Sequence, residues 1–120
     1  MATVSGPAGK QTVRLLLDTG AAKTLLDPRT LRIVGAEPVT TRTLAGIGGM
    51  VEASEHRIES LTIGDLVVPL EHVVGLRLPS GVAIDGLLGL DALKSLRLEI
   101  DLTNRVVSLM PSLETHPETP

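Results

Sequence analysis

Glycine or proline interrupts the apolar segments of this chain about every ten residues, which leaves no room for long amphipathic helices and is the spacing of a mostly β fold. Residues 12–17 read as a buried strand that runs into Asp18, with 2–5 as its hairpin partner across Gly6-Pro7-Ala8-Gly9. Around Asp27-Pro28 the pattern changes. An Asp at the N-cap, Pro at the first helical position, Leu31 and Val34 three apart, then Gly35 and Pro38, predict a two-turn helix. Residues 39–44 and 51–58 are the expected arms of a hairpin whose tip is Ala45-Gly46-Ile47-Gly48-Gly49. A second hairpin, 61–63 with 66–74, turns at Gly64-Asp65, and 82–88 is a further apolar strand ending at Gly89. Asp91 is expected to cap a short helix reaching Leu96, and 98–102 with 105–109 form a closing hairpin about Thr103-Asn104.

At 120 residues the chain has room for one domain, expected over 1–110, followed by a polar, proline-rich and disordered tail at 111–120. Hydrophobic residues make up 42%, yet Phe, Tyr and Trp are absent, so the interior must be filled by aliphatic side chains and Met. A core without aromatic rings favours dimerisation. Eleven Lys and Arg against fourteen Asp and Glu give a charge of −3, and with no aromatic platform this argues against nucleic acid as a partner. No uncharged apolar run approaches the ~18 residues of a membrane span. Without cysteine there are no disulfides, zinc-thiolate sites or thiol nucleophiles. The compartment stays open, since the same residues would suit part of a longer secreted or anchored protein.

Few residues are candidates for chemistry. His56, His72 and His116 accompany no nucleophile motif and have no metal-ligand spacing, so they read as ordinary surface histidines. Asp27, Asp65, Asp91 and Asp101 stand at turns or helix starts, where capping of backbone N–H groups accounts for them. Asp18 is different, because it ends an apolar strand and precedes Thr19-Gly20-Ala21. A carboxylate there is costly unless hydrogen-bonded, and Gly20 lets the backbone turn its N–H groups toward it. An Asx-turn at a strand end is the plain structural alternative.

Leu16-Leu17-Asp18-Thr19-Gly20-Ala21 resembles the catalytic loop of the retropepsin-like aspartic proteases. Gly46-Ile47-Gly48-Gly49 is similar to the flap tip of the retroviral enzymes, and Leu87-Leu88-Gly89 resembles the family's hydrophobic-hydrophobic-Gly element that braces the loop from beneath. The three motifs occur in the family's order over about residues 11–110, and Leu87 to Leu93 is closer to cellular and bacterial members than to viral ones. The resemblance implies a closed β-barrel or sandwich subunit with one or two short helices and a flap hairpin, acting as a homodimer. It implies Asp18 as the catalytic residue, Thr19, Gly20 and Ala21 as its loop, Ala45, Gly46, Ile47, Gly48 and Gly49 as flap, and Leu87, Leu88 and Gly89 as pocket and brace.

One Asp-Thr-Gly per chain means that two copies of Asp18 must meet across a twofold axis, since Asp85-Gly86 lacks the hydroxyl residue of a second loop. The implied activity is hydrolysis of extended polypeptides by a water held between the two carboxylates, with no metal or cofactor. Ala21 in place of the usual Ser of pepsin-like enzymes removes a donor and implies a mildly acidic optimum. A silent dimer of the same fold that binds peptides, and a purely structural β domain, are the readings from other classes. The closing hairpin is the candidate inter-subunit sheet.

Overall fold

The computed structural model describes residues 1–46, 49–79 and 81–112. The order is β1 (Ala2–Gly6), β2 (Gly9–Val13), β3 (Leu15–Leu17), β4 (Leu25–Leu26), α1 (Pro28–Val34), β5 (Pro38–Gly46), β6 (Gly49–Arg57) and β7 (Ser60–Ile63). There follow β8 (Leu66–Val68), β9 (His72–Gly75), β10 (Gly86–Leu88), α2 (Leu90–Leu93), β11 (Leu96–Asp101) and β12 (Val106–Pro111). Mostly β is therefore right. The strands form a four-stranded sheet β2-β1-β7-β8, a six-stranded sheet β3-β10-β4-β9-β6-β5 and the separate pair β11-β12. The expected closed barrel is not formed: β2, β8, β3 and β5 are each bonded on one side only, so both large sheets keep open edges.

Two expected strands are cut in two, each for a visible reason. Residues 12–17 divide at Arg14, whose N–H donates to Asp85 Oδ2 (2.7 Å) while its carbonyl accepts from the Asp85 N–H (2.7 Å). That two-point clasp swings the chain from the four-stranded sheet into the six-stranded one. Residues 66–74 divide at Pro69, which has no N–H for a ladder, and β8 and β9 lie in different sheets. The strand expected over 82–88 is confined to Gly86–Leu88, and the short pair Leu25–Leu26, unforeseen in the sequence, fits between β10 and β9.

One aliphatic cluster joins the layers: Val4, Val13, Leu61 and Val68 from the first sheet, Leu26, Val73 and Leu88 from the second, and Leu31 and Val34 from α1. α1 packs on the first hairpin so closely that the Ala8 N–H donates to the Val34 carbonyl (2.8 Å). Its stop is Gly35 at φ 76, with the Gly35 and Ala36 N–H groups capping the Arg32 and Leu31 carbonyls.

Its start is Asp27, whose Oδ1 accepts from the Arg29 N–H at 2.8 Å. Burial raises the Asp27 carboxyl, but the hydrogen bonds and charge of Arg29 outweigh it, and the group is held below its ordinary 3.8. Its charged form therefore stabilises the fold above that pH, and the contribution is lost as pH falls through the lowered folded value. Asp27→Ala is expected to cost about 1 kcal/mol in urea unfolding at neutral pH, with a smaller difference at acid pH. Asp27→Asn, which keeps a capping oxygen, should cost less and show little pH dependence.

The closing hairpin runs longer than expected, with Pro111 paired to Leu96 rather than beginning a tail, and its turn is held by the Asn104 N–H on Asp101 Oδ1 (3.1 Å). Ile100 and Val107 are 55% and 51% exposed, and Leu102 is 83% exposed. No helix among the described residues is long and apolar enough to cross a membrane.

Candidate active site

The carboxyl end of β3 carries Asp18, and the strand beneath it is β10, running parallel with Leu16 beside Leu87 and Leu17 beside Leu88. The Asp18 N–H donates to the Leu88 carbonyl at 3.0 Å, which ties the loop to β10 at its first residue. The chain then turns back on itself. The Gly20 N–H donates to Asp18 Oδ1 at 2.9 Å and the Ala21 N–H to the Asp18 carbonyl at 3.2 Å. No hydrogen bond among the described residues engages Asp18 Oδ2 or the Thr19 hydroxyl, and Thr19 is exposed. Asp18 is half-buried, and its strand is an open edge with Leu16 51% exposed, not the buried strand expected from its apolar sequence. A run of leucines reads as interior, yet among the described residues no strand bonds to the outer edge of β3.

A second tier holds the loop, and the sequence did not disclose it. Thr24 is fully buried, its hydroxyl donates to Asp91 Oδ1 at 2.7 Å, and it accepts from the Gly89 N–H at 3.1 Å. The Leu90 and Asp91 N–H groups donate to the Ala21 and Ala22 carbonyls at 2.8 and 3.2 Å. Asp91 thus serves the loop and does not cap α2, whose N-cap is Gly89 and which ends at Leu93, short of Leu96. A side chain at Gly89 would come within 2.6 Å of the Lys23 carbonyl, so only glycine lets α2 approach this closely. The one available signal was a hydroxyl residue directly before Leu25-Leu26.

Thr24→Val keeps the shape but leaves the buried Gly89 N–H without an acceptor and Asp91 without its donor. It should cost about 2 kcal/mol in chemical unfolding, whereas Thr24→Ser should cost less than about 1 kcal/mol.

Leu87 is half-buried and lies across from Leu25 as well as beside Leu16, so three leucines in register share the face of the sheet that leads to Asp18. Leu88 points the other way, into the core. Leu16 and Leu25 join Leu87 as an apolar floor, which only the pairing of β4 with β10 discloses. Ala45 and Gly46 end β5 and Gly49 begins β6, with Gly46 opposite Gly49. Ile47 and Gly48 lie outside the described residues, as does His116. In hydrogen-bonding order this hairpin occupies the opposite edge of the six-stranded sheet from β3. His56 sits with Nδ1 3.2 Å from the Ala36 carbonyl oxygen, and no group of potential metal ligands occurs among the described residues.

A family model described as aspartyl protease matches residues 1–92, the span that holds the Asp18 loop, β10 and most of α2. The chain belongs to the aspartyl protease family. No match is found among the curated proteins. Among solved structures, a retropepsin-like aspartic protease from Rickettsia conorii is similar, with 17% identity and a TM-score of 0.49 over 92% of this chain and 88% of that one. Within an aspartyl protease, a half-buried carboxylate with one oxygen fixed by a backbone N–H and the other open is a group able to accept a proton from water.

Proposed function

We propose that this aspartyl protease family member is an endopeptidase that works as a homodimer, with Asp18 of each subunit as the catalytic residue. The observation that carries the proposal is the state of Asp18 among the described residues: Oδ1 held by Gly20, Oδ2 unengaged, the strand unpaired on its outer side. One carboxylate per chain cannot act as base and acid together, so two subunits bring their Asp18 side chains close enough to share one proton. The ionised Asp18 takes a proton from a water, whose oxygen bonds to the peptide carbonyl carbon. The protonated Asp18 gives its proton to the carbonyl oxygen. Collapse of the tetrahedral diol breaks the C–N bond, the nitrogen leaves with a proton, and an acid and an amine result.

The exposed Thr19 hydroxyl suits a contact with the partner's loop, and the exposed edge of β3 and the apolar β11-β12 hairpin are the surfaces for a second copy to cover. The substrate lies as an extended strand over Leu16, Leu25 and Leu87, with β5-β6 as the flap above it. An apolar floor favours hydrophobic residues beside the cleaved bond. With Ala21 giving no hydroxyl to the ionised pair, activity peaks at mildly acidic pH.

The test is digestion of a diverse peptide library by the purified dimer from about pH 4 to about pH 7, beside Asp18→Asn, with new termini read by mass spectrometry. Cuts that vanish in the variant are the expected result. Binding of extended peptides that survives in the variant, with no cuts by either protein, would overturn the proposal in favour of a peptide-binding dimer.

A further inference from the structure

The face that carries the apolar floor also carries charge that the proposed chemistry leaves unused. Along residues 23–27 burial alternates: Thr24 and Leu26 are fully buried, while Lys23, Leu25 and Asp27 turn outward. Leu25 belongs to the floor beside Asp18, so this row runs along the cleft. Where β4 ends, a groove of about 700 Å³ opens, lined by Asp27, Arg29, Arg77, Leu78, Val82 and Ile84 among others. A hollow of about 240 Å³ shares Asp27, Arg29 and Arg77 and adds Arg32.

Arg29 and Arg77 line both hollows together with a single carboxylate, Asp27, and Arg32 lines the smaller one. That carboxylate already accepts from the Arg29 backbone N–H and Nε through Oδ1. Asp85, next to Ile84, accepts from the Arg14 N–H through Oδ2. Arg32 and Arg77 have no ion-pair partner among the described residues, and both are exposed. In a chain whose net charge is −3, this is a local cationic surplus in a mostly polar groove, with Leu78, Val82 and Ile84 along it. Those apolar residues take the short stem of an acidic side chain, and the guanidinium fork takes its carboxylate in paired hydrogen bonds.

We propose that this groove selects substrates carrying an Asp or Glu side chain about five residues from the cleaved bond. The spacing follows from the strands: Asp27, where the groove begins, is level with Asp85 and Arg14, four positions back from Asp18 and two strands across, so ~16 Å or about five extended residues separate them. The inference rests on the peptidase reading above and names its substrate class.

The test uses two peptides, identical except for Glu or Gln at that position, cut by the dimer and by Arg29→Ala/Arg77→Ala. The Glu peptide is expected to have a kcat/KM about 5- to 10-fold higher, carried mainly by KM and weakened by salt. In the double variant the Glu-to-Gln ratio should fall to near one, with Arg77→Lys retaining part of it. A ratio of one in the unaltered protein, or a ratio that survives in the double variant, would overturn the inference. Anisotropy binding of both peptides to Asp18→Asn reads the same ratio without turnover. Absence of any cleavage therefore defeats the peptidase reading, while the binding ratio still decides this one.

Discussion

Asp18→Asn is expected to lower the rate of peptide cleavage by at least about 100-fold, the smaller end of what loss of a general base costs. The fold should survive the change. Asn keeps an Oδ1 that accepts from the Gly20 N–H, now at 2.9 Å, and the Ala21 and Leu88 backbone bonds do not involve the side chain. Urea unfolding should therefore shift by less than about 0.5 kcal/mol. A mixing experiment reads the twofold site. If both carboxylates of a dimer are required, equal amounts of the two proteins, allowed to exchange subunits, should show about a quarter of the activity of unmixed protein. A subunit that worked alone would keep about half. Activity in the pure variant would remove Asp18 from the chemistry altogether.

Gly86→Ala is expected to cost about 3 kcal/mol or more, enough to leave a marginal domain largely unfolded. Gly86 stands opposite Leu26 in β4 and beside Leu15 in β3, and a Cβ there would run into the Leu25 carbonyl oxygen. The obstacle is backbone. Leu26 and Leu15 side-chain atoms would also lie 3.0 and 3.1 Å away, but trimming either to Ala should not rescue the variant, because the carbonyl cannot yield without breaking the β10-β4 pair. Circular dichroism and urea unfolding give the answer directly. A loss under about 1 kcal/mol would mean that β4 does not sit this close to β10.

Much of this was legible in the chain. The Asp27-Pro28 start and Gly35 stop of α1, the first hairpin, the long β5-β6 hairpin and the turn of Gly20 onto Asp18 all rest on contacts between near neighbours in the chain, the widest being Pro38 with His56, where local patterns carry the information. The misses share a cause. The cuts at Arg14 and Pro69 move the chain between sheets, and the Arg14 cut depends on Asp85, 71 residues away. Asp91 reads as a helix cap from its neighbours, yet its carboxylate goes to Thr24, 67 residues earlier.

Sequence by itself determined the fold class, an all-aliphatic core and the presence of a single Asp-Thr-Gly-Ala, on which the proposed two-subunit site rests. Tertiary structure alone decided that Leu16, Leu25 and Leu87 share a face, that Thr24 and Asp91 lock the loop to α2, and that Arg29 and Arg77 line one groove with Arg32 in the hollow beside it. The physical reason is the same in each case. Alternation along a strand says which side a residue takes only after the strand has a partner and a register, and both are set by residues far along the chain.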